Sequence, residues 1–408
     1  MSTEIIHESP TLKGAASDYW SRVKAGDIGA LPAILGLVVL CGIFGAMSDV
    51  FLTPGNFANL LTQAAAVIVI AMGLVFVLLL GEIDLSAGFA AGVSGAVLVI
   101  LITNHDVAWY IAFPISIMVG GLLGFILGTL VARVGIPSFV VTLAAFLAFQ
   151  GLLLLLAGEG GTIRIADKTI LAVQNSNLSP ILSWVFFIVV AVAYVGTGLN
   201  RINTRRRAGL KSELVKLWVI KTTSLLLITG GAVFALTVER SNNPDLVSLK
   251  GIPYVVPVIL LLLVIGTFVL GRTAFGRHIY AVGGNAEAAR RAGIDVKRIR
   301  ITAFMICSGL AAIAGLIFAS RQNSISPTTG GSSTLLYAVG AAVIGGTSLF
   351  GGKGKMRDAI LGGLVVAVID NGMGLLGYAA GIKFIVTGLV LLISAGVDAI
   401  SRRGANAT

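Results

Sequence analysis

Three carboxylates fall inside or beside long apolar stretches of the chain. Glu82 and Asp84 lie in the segment GEIDLSAG at 81–88, and Asp370 is followed by Asn371 in a second apolar run. An ionisable side chain at membrane depth costs free energy and marks a substrate or ion pathway by default. Such a carboxylate can accept hydrogen bonds from a polar substrate, carry a proton or pair with another helix. These carboxylates are therefore the first candidates for chemistry.

Neutral polar residues beside the carboxylates extend this predicted pathway. Gly81 ends one apolar run, so the segment predicts either a helix break near a pathway or a capped loop at the cytoplasmic interface. Asp370 predicts pathway lining or an interhelix hydrogen-bond network, because an unpaired buried carboxylate would cost several kcal/mol. For Gln63, packing between helices is the alternative. The predicted pathway residues are Gln63, Glu82, Asp84, Ser86, Asp370 and Asn371.

The composition indicates that membrane-spanning helices hold these residues. Of 408 residues, 56% are hydrophobic and 12% are charged, whereas a soluble domain carries about 25% charged residues. We therefore predict an all-α, polytopic transmembrane bundle of about ten to twelve spans. The candidate spans are 31–48, 57–80, 83–103, 108–131, 138–157, 181–199, 218–238, 253–271, 301–320, 335–352, 359–377 and 384–400. Gly120, Gly124 and Gly128 share one helix face and predict close helix packing.

The positive charges predict the orientation of the bundle. With twelve crossings and a cytoplasmic N-terminus, 23 of the 29 Lys and Arg residues fall on the cytoplasmic side, as the positive-inside rule expects. Both termini are then cytoplasmic, with tails at 1–30 and 401–408 around a membrane domain at 31–400. The basic run at 201–216 is typical of a retention signal beside two spans; binding to RNA or acidic lipid is the alternative. The net charge of +11 is thus no sign of a nucleic-acid partner.

The cytoplasmic loop at 272–300 predicts a short capped helix. Asn285 can cap it, Glu287 lies in its first turn, and Arg290 and Arg291 lie in its last turn, as the helix dipole favours. Gly293 fits the position just beyond the end. The small face of this helix could fit a groove in a partner protein, although an ordinary capped loop is the alternative.

Three segments, in this order, resemble the bacterial sugar ABC-transporter permeases of the ribose, xylose and galactoside group. They are GEIDLSAG, with Ala87 where valine is usual, FGRHIYAVGGNAEAARRAGIDVKR at 275–298, and AVIGGTSLFGGKGKMRDAILGGLVVAVIDNGMGLLG at 342–377. The resemblance runs from about 54 to 396 and is weaker near 200–252. That insertion, with DNGM at 370–373, is most like the D-xylose permease branch. The chain departs from the family at 356–358, where a small, glycine-containing turn is usual.

The resemblance implies a permease subunit of an importer for D-xylose or a related pentose, in the plasma membrane of a bacterium. It implies a second permease subunit in a homodimer, an ABC ATPase, an extracytoplasmic sugar-binding protein and contact with membrane lipid. The loop at 272–300 would then couple the permease to the ATPase. The expected coupling residues are Gly284, Asn285, Glu287, Ala288, Arg290, Arg291 and Gly293.

The chain itself is not expected to be an enzyme or to bind a metal or cofactor. The stretch TSLFGGKG at 347–354 fails as a phosphate-binding loop, because Thr347 and Gly354 occupy positions that need glycine and a hydroxyl. A partner must therefore hydrolyse the ATP. The three histidines and two cysteines are scattered and form no ligand set. Two alternatives stay open: a branched-chain amino-acid ABC permease, and a proton-coupled secondary transporter that uses Asp370 or Glu82.

Overall fold

The described part of the chain is built almost entirely of helices. The computed structural model describes residues 31–158, 161–208, 215–241 and 243–406; the predicted N-terminal tail and the last residues of the C-terminal tail lie outside them. The helices are α1 (Leu31–Met47), α2 (Pro54–Leu78), α3 (Ala87–His105), α4 (Trp109–Thr129), α5 (Ser138–Ala157), α6 (Lys168–Asn175), α7 (Pro180–Arg207), α8 (Val215–Thr237), α9 (Val255–Arg272), α10 (Ala274–Gly284), α11 (Ala286–Arg291), α12 (Val296–Gln322), α13 (Ser332–Ile344), α14 (Met356–Leu375) and α15 (Ala380–Asn406).

Among the residues that the structure describes, two short strands and a π-helical turn accompany the α-helices. Strand β1 (Ile163–Arg164) pairs antiparallel with β2 (Ser324–Ile325). The π-helical turn Leu130–Val134 extends α4 and ends at Gly135, whose φ is +86°. A left-handed φ of this kind favours glycine, since a Cβ atom would be strained there.

Among the described residues, nine helices are long and apolar enough to cross a membrane. They are α2, α3, α4 with its π-helical turn, α5, α7, α8, α9, α12 and α14. Three shorter apolar helices, Leu31–Met47, Ser333–Ile344 and Ala380–Gly396, match the three remaining predicted spans. The prediction of a polytopic helical membrane protein is confirmed.

The predicted span at 335–352 is too long. Helix α13 ends at Ile344, because Gly345 and Gly346 follow and Gly346 adopts a φ of +116°. Its 13 residues cover roughly 20 Å at 1.5 Å per residue, less than the ~30 Å of a hydrocarbon core. Residues 345–355 form a loop instead.

The described residues divide into two compact units. The hairpin unit contains Leu178–Ile252, with α7 and α8, and the described residues from Ile400 onward. The core unit contains the described residues up to Asn177 together with Pro253–Ala399. The hairpin unit includes the stretch near 200–252 where the resemblance is weaker. All predicted pathway and coupling residues belong to the core unit.

Helix α12 is the centre of the core unit, where it packs against α2, α3 and α4. The prediction that Gly120, Gly124 and Gly128 allow close helix packing is confirmed. A Cβ atom on Gly120 would meet the backbone oxygen of Ser308, and one on Gly124 or Gly128 would meet backbone atoms of α12. Small residues allow two helix backbones to approach this closely.

A glutamate organises the loop that follows α8 in the hairpin unit. Oε1 of Glu239 accepts hydrogen bonds from the backbone N–H groups of Arg240, Ser241 and Leu249. Ser248 donates to the other carboxylate oxygen at 2.7 Å. The hydrogen bonds from Ser241, Leu249 and Ser248 lower the pKa of Glu239 to about 2, because they favour the charged form. The loop therefore keeps a defined conformation around an ionised carboxylate.

Candidate substrate pathway and coupling site

A polar network joins α2, α14 and α15 inside the core unit. Gln63 on α2 donates from Nε2 to Oδ2 of Asp370 on α14, at 3.1 Å. On α15, Nζ of Lys383 lies 3.5 Å from Oδ1 of the same carboxylate, with the side chains of Lys383 and Asp370 21% and 27% exposed. The expectation that Asp370 has a partner is met, and its partners are an amide and an ammonium group.

Two asparagines extend this network along α2. Asn56 donates to Oδ1 of Asn371 at 2.9 Å, and Asn371 donates back to Oδ1 of Asn56 at 3.0 Å. Asn56 also donates to the backbone oxygen of Phe51, and Asn371 also donates to Oε1 of Gln63. Buried polar groups are stable when their hydrogen bonds are satisfied in this way.

A small cavity lies beside the network, between α2, α13 and α14. Its volume is about 30 Å³, which is on the scale of a water molecule. The polar residues of its wall are Gln63, Asp370 and Tyr337, and the other lining residues are Ala64, Val67, Gly363, Val366 and Ala367. The wall is therefore mostly apolar with three convergent polar groups.

Glu82 belongs to a different place, at the opposite end of α2. Gln63 and the last residue of α2, Leu78, are roughly 22 Å apart along the helix axis. Oε1 of Glu82 lies 3.1 Å from Nε of Arg300, near the start of α12. The glutamate thus forms an ion pair that ties the α2–α3 connection to α12. The six predicted pathway residues fall into two groups, Gln63, Asp370 and Asn371 at one place and Glu82, Asp84 and Ser86 at the other.

Asp84 and Ser86 form the buried turn that precedes α3. Both are completely buried, and Oδ1 of Asp84 accepts hydrogen bonds from the backbone N–H of Ser86 at 2.9 Å and from its hydroxyl at 2.6 Å. The thiol of Cys307 on α12 also interacts with this carboxylate. The backbone N–H of Ile83 donates to the hydroxyl of Ser138, the first residue of α5, at 3.3 Å. These contacts fix a helix break against α5 and α12.

The predicted capped helix of the loop at 272–300 is present as α11. The backbone N–H of Ala288 donates to Oδ1 of Asn285 at 2.9 Å. Glu287 pairs with Arg290 at 2.8 Å and with Arg291 at 3.3 Å. The three charged side chains are exposed, so the pairs add little stability and leave the charges accessible.

The end of α11 matches the prediction as well. Gly293 has a φ of +83°, which is the left-handed conformation expected just beyond a helix. Asp295 then begins α12, since its Oδ1 accepts a hydrogen bond from the backbone N–H of Arg298 at 3.1 Å. Helix α11 is therefore fixed at both ends and followed at once by the central helix of the core unit.

Helix α10, which precedes α11, packs on the loop at 345–355 and on the end of α2. The hydroxyl of Tyr280 donates to the backbone oxygen of Gly354 at 2.7 Å, and burial together with the nearby Asp358 carboxylate raises the pKa of Tyr280. The backbone N–H of Gly352 donates to the backbone oxygen of Leu79 at 2.8 Å. At the far end of this loop, Asp358 accepts from the N–H of Lys355 at 2.7 Å and caps α14, so the departure at 356–358 begins a helix.

Several residues of these two sites were not found from the sequence. The apolar pattern predicts that the last span begins after Lys383, but α15 begins at Ala380 and includes this residue. Asn56, Tyr337 and Arg300 gave no signal, because a single polar residue at the edge of a span is common.

In the described part of the chain, no group of three or more His, Cys, Asp or Glu side chains could hold a metal ion.

Comparison with known proteins places the chain in a transporter family. Residues 56–395 match the model of the family described as branched-chain amino acid transport system / permease component. The chain belongs to this family. The match covers most of the core unit, including both polar sites, so the chain is a transport component and a multi-pass membrane protein.

The similar proteins transport sugars, according to their names. The chain is 32% identical to the xylose transport system permease protein XylH of Haemophilus influenzae, over 94% of this chain and 99% of that protein. It is 35% identical to XylH of Escherichia coli K12, over 95% and 96%. The ribose import permease protein RbsC of Escherichia coli K12 is 28% identical, over 90% and 92%. No solved structure matches the chain significantly.

Proposed function

We propose that this protein is the permease subunit of an ATP-binding-cassette importer that moves a pentose, D-xylose in the first place, into the cytoplasm. The observation that carries the proposal is the similarity to two xylose permeases over at least 94% of the chain. The three segments that resemble sugar permeases lie at the two polar sites described above. Gly81 and Gly283 both lie close to Gly351, so residues 81–88 and 275–298 come together at the loop at 345–355, and residues 342–377 supply Asp370.

The polar network around Asp370 is assigned to the sugar pathway. Sugar hydroxyl groups both donate and accept hydrogen bonds, so a carboxylate beside an amide suits them. Gln63, Asp370 and Asn371 are the pathway residues at this place. Glu82, Asp84 and Ser86 lie at the other end of α2, and their part in transport is to hold the helix break next to the coupling segment.

Helix α11 and its flanks are assigned to coupling with the ATPase. The residues of this surface are Gly284, Asn285, Glu287, Ala288, Arg290, Arg291 and Gly293. Support comes from the defined caps at Asn285 and Gly293 and from the exposed charges of Glu287 and the two arginines. A rigid, charged helix end that leads directly into α12 can pass a motion to the centre of the core unit.

The remaining parts of the assembly follow from this function. Two copies of the chain form the pathway in the plasma membrane of a bacterium, with both termini in the cytoplasm. The ATPase binds on the cytoplasmic side, and an extracytoplasmic binding protein delivers the sugar. The permease holds no cofactor of its own, and ATP is hydrolysed by the partner. Transport proceeds by alternating access without chemistry on the sugar.

Uptake of labelled substrates by cells with and without the gene tests this proposal. We expect deletion to abolish high-affinity uptake of D-xylose, with ribose, galactose and leucine as the compared substrates. Loss of leucine uptake with xylose uptake intact would show a branched-chain amino-acid permease. Uptake that survives ATP depletion and stops when the proton gradient is collapsed would show a secondary transporter.

A further inference from the structure

Three polar groups, a carboxylate, an amide and a phenol, line the cavity between α2, α13 and α14 in the core unit. Asp370, Gln63 and Tyr337 supply these groups, and the rest of the wall is small or apolar. Small-molecule sites have this composition: an apolar wall with a few polar groups that fix the orientation of the ligand. We propose that this cavity is the closed form of a sugar subsite, in which Tyr337 and Lys383 act with Asp370. The inference rests on the transport function proposed above.

The network leaves hydrogen-bonding capacity for a sugar. Oδ2 of Asp370 accepts a hydrogen bond from Gln63, and Oδ1 faces Lys383. Each carboxylate oxygen can accept about two hydrogen bonds, and the amide nitrogen of Gln63 has a second N–H. One sugar hydroxyl can therefore donate to Asp370 while it accepts from Gln63, and the hydroxyl of Tyr337 can serve a second one.

The charges favour a neutral ligand. Asp370 is the charged residue among those that line the cavity, and Lys383 lies 3.5 Å from it. The pair neutralises itself, so the wall attracts neither an anion nor a cation strongly. A zwitterionic amino acid would have to separate the two side chains in order to bind both. A sugar can bind to Asp370 while the ion pair persists.

The cavity is too small to hold a pentose in this structure. A volume of about 30 Å³ is on the scale of one water molecule, so a pentose needs a wider space. Helix α15 carries both Lys383 and Phe384, and the rings of Phe384 and Tyr337 are 6.2 Å apart. Separation of α13 from α2 and α14, which line the cavity, would widen it, and loss of the contact with Phe384 would free the Tyr337 ring for the sugar.

The test measures sugar transported per ATP hydrolysed by the complete transporter in proteoliposomes, with saturating sugar-loaded binding protein. The variants are Asp370→Asn and Tyr337→Phe. The second removes a single hydroxyl and keeps the test valid if the first does not fold. The matched controls are Asp245→Asn and Tyr378→Phe, neither of which lines the cavity.

We expect Asp370→Asn to lower the sugar-to-ATP ratio at least about five-fold and Tyr337→Phe to lower it at least about two-fold. The ATPase rate should stay within about two-fold, and both controls should keep the wild-type ratio. A ratio unchanged in Tyr337→Phe, or a loss of ATPase activity in proportion to the loss of uptake, would overturn the subsite.

Deoxy sugars provide the second measurement. The wild type should transport the pentose that lacks the hydroxyl bound by Asp370 poorly. For this deoxy pentose, Asp370→Asn should not lower the amount of sugar transported per ATP any further. If Asp370→Asn lowers the amount transported per ATP by the same factor for every deoxy pentose as for the parent sugar, Asp370 does not contact the sugar. If the wild type transports no pentose, the proposed function itself has failed.

Discussion

Asp370 and Asn371 depend on side chains from two other helices. Gln63 and Asn56 lie on α2 and Lys383 lies on α15, and together they give each of the two residues hydrogen-bond or ion-pair partners. A buried amide that loses its partner keeps its desolvation cost. The hydrogen-bonded pair of Asn56 and Asn371 should therefore stabilise the protein, and a double-mutant cycle can measure the interaction energy between the two side chains.

Replacement of Asn371 by Ala should lower the stability of the protein by about 1–3 kcal/mol, because Asn56 and Gln63 would lose their partner. Thermal unfolding in detergent measures this loss. Asn56→Ala should cost a similar amount, and the double variant should be clearly less than additive. Asn203→Ala, at an exposed position, serves as the control. Additive effects of the two substitutions would show that the pair does not interact.

The need for a partner at Asp370 was predictable from the sequence, but the identity of the partner was not. The cost of a buried charge requires pairing wherever the carboxylate lies in a span. Lys383 could not be identified, because the apolar run that marks the last span begins after it. The caps at Asn285 and Gly293 were predictable because they depend on local sequence alone.

At the scale of elements, the Glu82–Arg300 pair connects α12 to the turn that ends α2. Arg300 lies five residues after Asp295, which caps the first turn of α12. Glu82 lies directly after Gly81, beside the backbone of Phe350 and Gly351. A displacement of α11 that moves the start of α12 would therefore reach the helix break at Asp84 through this ion pair.

Loss of the ion pair should weaken coupling between ATP hydrolysis and transport. Glu82→Gln and Arg300→Met should each lower the amount of sugar transported per ATP, because the start of α12 is no longer tied to the α2–α3 connection. The charge exchange Glu82→Arg with Arg300→Glu should restore part of the ratio. Arg133→Met, an exposed cytoplasmic-side charge in the predicted topology, is the control. No recovery in the exchanged pair would refute a direct electrostatic link.

Two adjacent glycines of α10 provide a matched test of its packing. A Cβ atom on Gly283 would overlap the backbone oxygen of Leu79 and approach the backbone of Gly352, whereas Gly284 has open space around it. We expect Gly283→Ala to lower stability by about 1–3 kcal/mol. Gly284→Ala should change it by less than about 1 kcal/mol. Equal melting temperatures of the two variants would contradict the close contact between α10 and the end of α2.

The positions of the helices were largely predictable, because long apolar runs must be helical in a membrane. The ends of the helices were less predictable. Glycine pairs can lie within a helix or end it, and the apolar pattern alone placed residues 345–352 in a span. The backbone contacts of that loop with Leu79 and Gly283 are long-range and leave no periodic pattern in the sequence.

At the scale of the whole molecule, the distribution of charge predicts how the protein lies in the membrane. The net charge of +11 arises from loops that alternate with the helices, and most of the cations fall in every second loop. Anionic lipid and the positive-inside rule favour these loops on the cytoplasmic side. The loop after α8 and the segment with α11 should therefore face opposite sides.

Cysteine labelling in intact cells measures this orientation. In a Cys41→Ser background, Leu246→Cys should react with a membrane-impermeant maleimide, whereas Ala288→Cys should react only after the cells are permeabilised. Both positions are exposed, and the remaining Cys307 is buried. Labelling of Ala288→Cys in intact cells would reverse the orientation and remove the coupling surface from the cytoplasmic side.

Reconstituted transport shows directly whether the chain forms the pathway of an ATP-driven sugar importer. The permease is placed in vesicles with its ATPase, and uptake of labelled D-xylose from the loaded binding protein is followed with and without ATP. We expect accumulation that needs ATP, binding protein and ATPase together and that persists when a protonophore collapses the proton gradient. Accumulation driven by a pH gradient in the absence of ATP would contradict it.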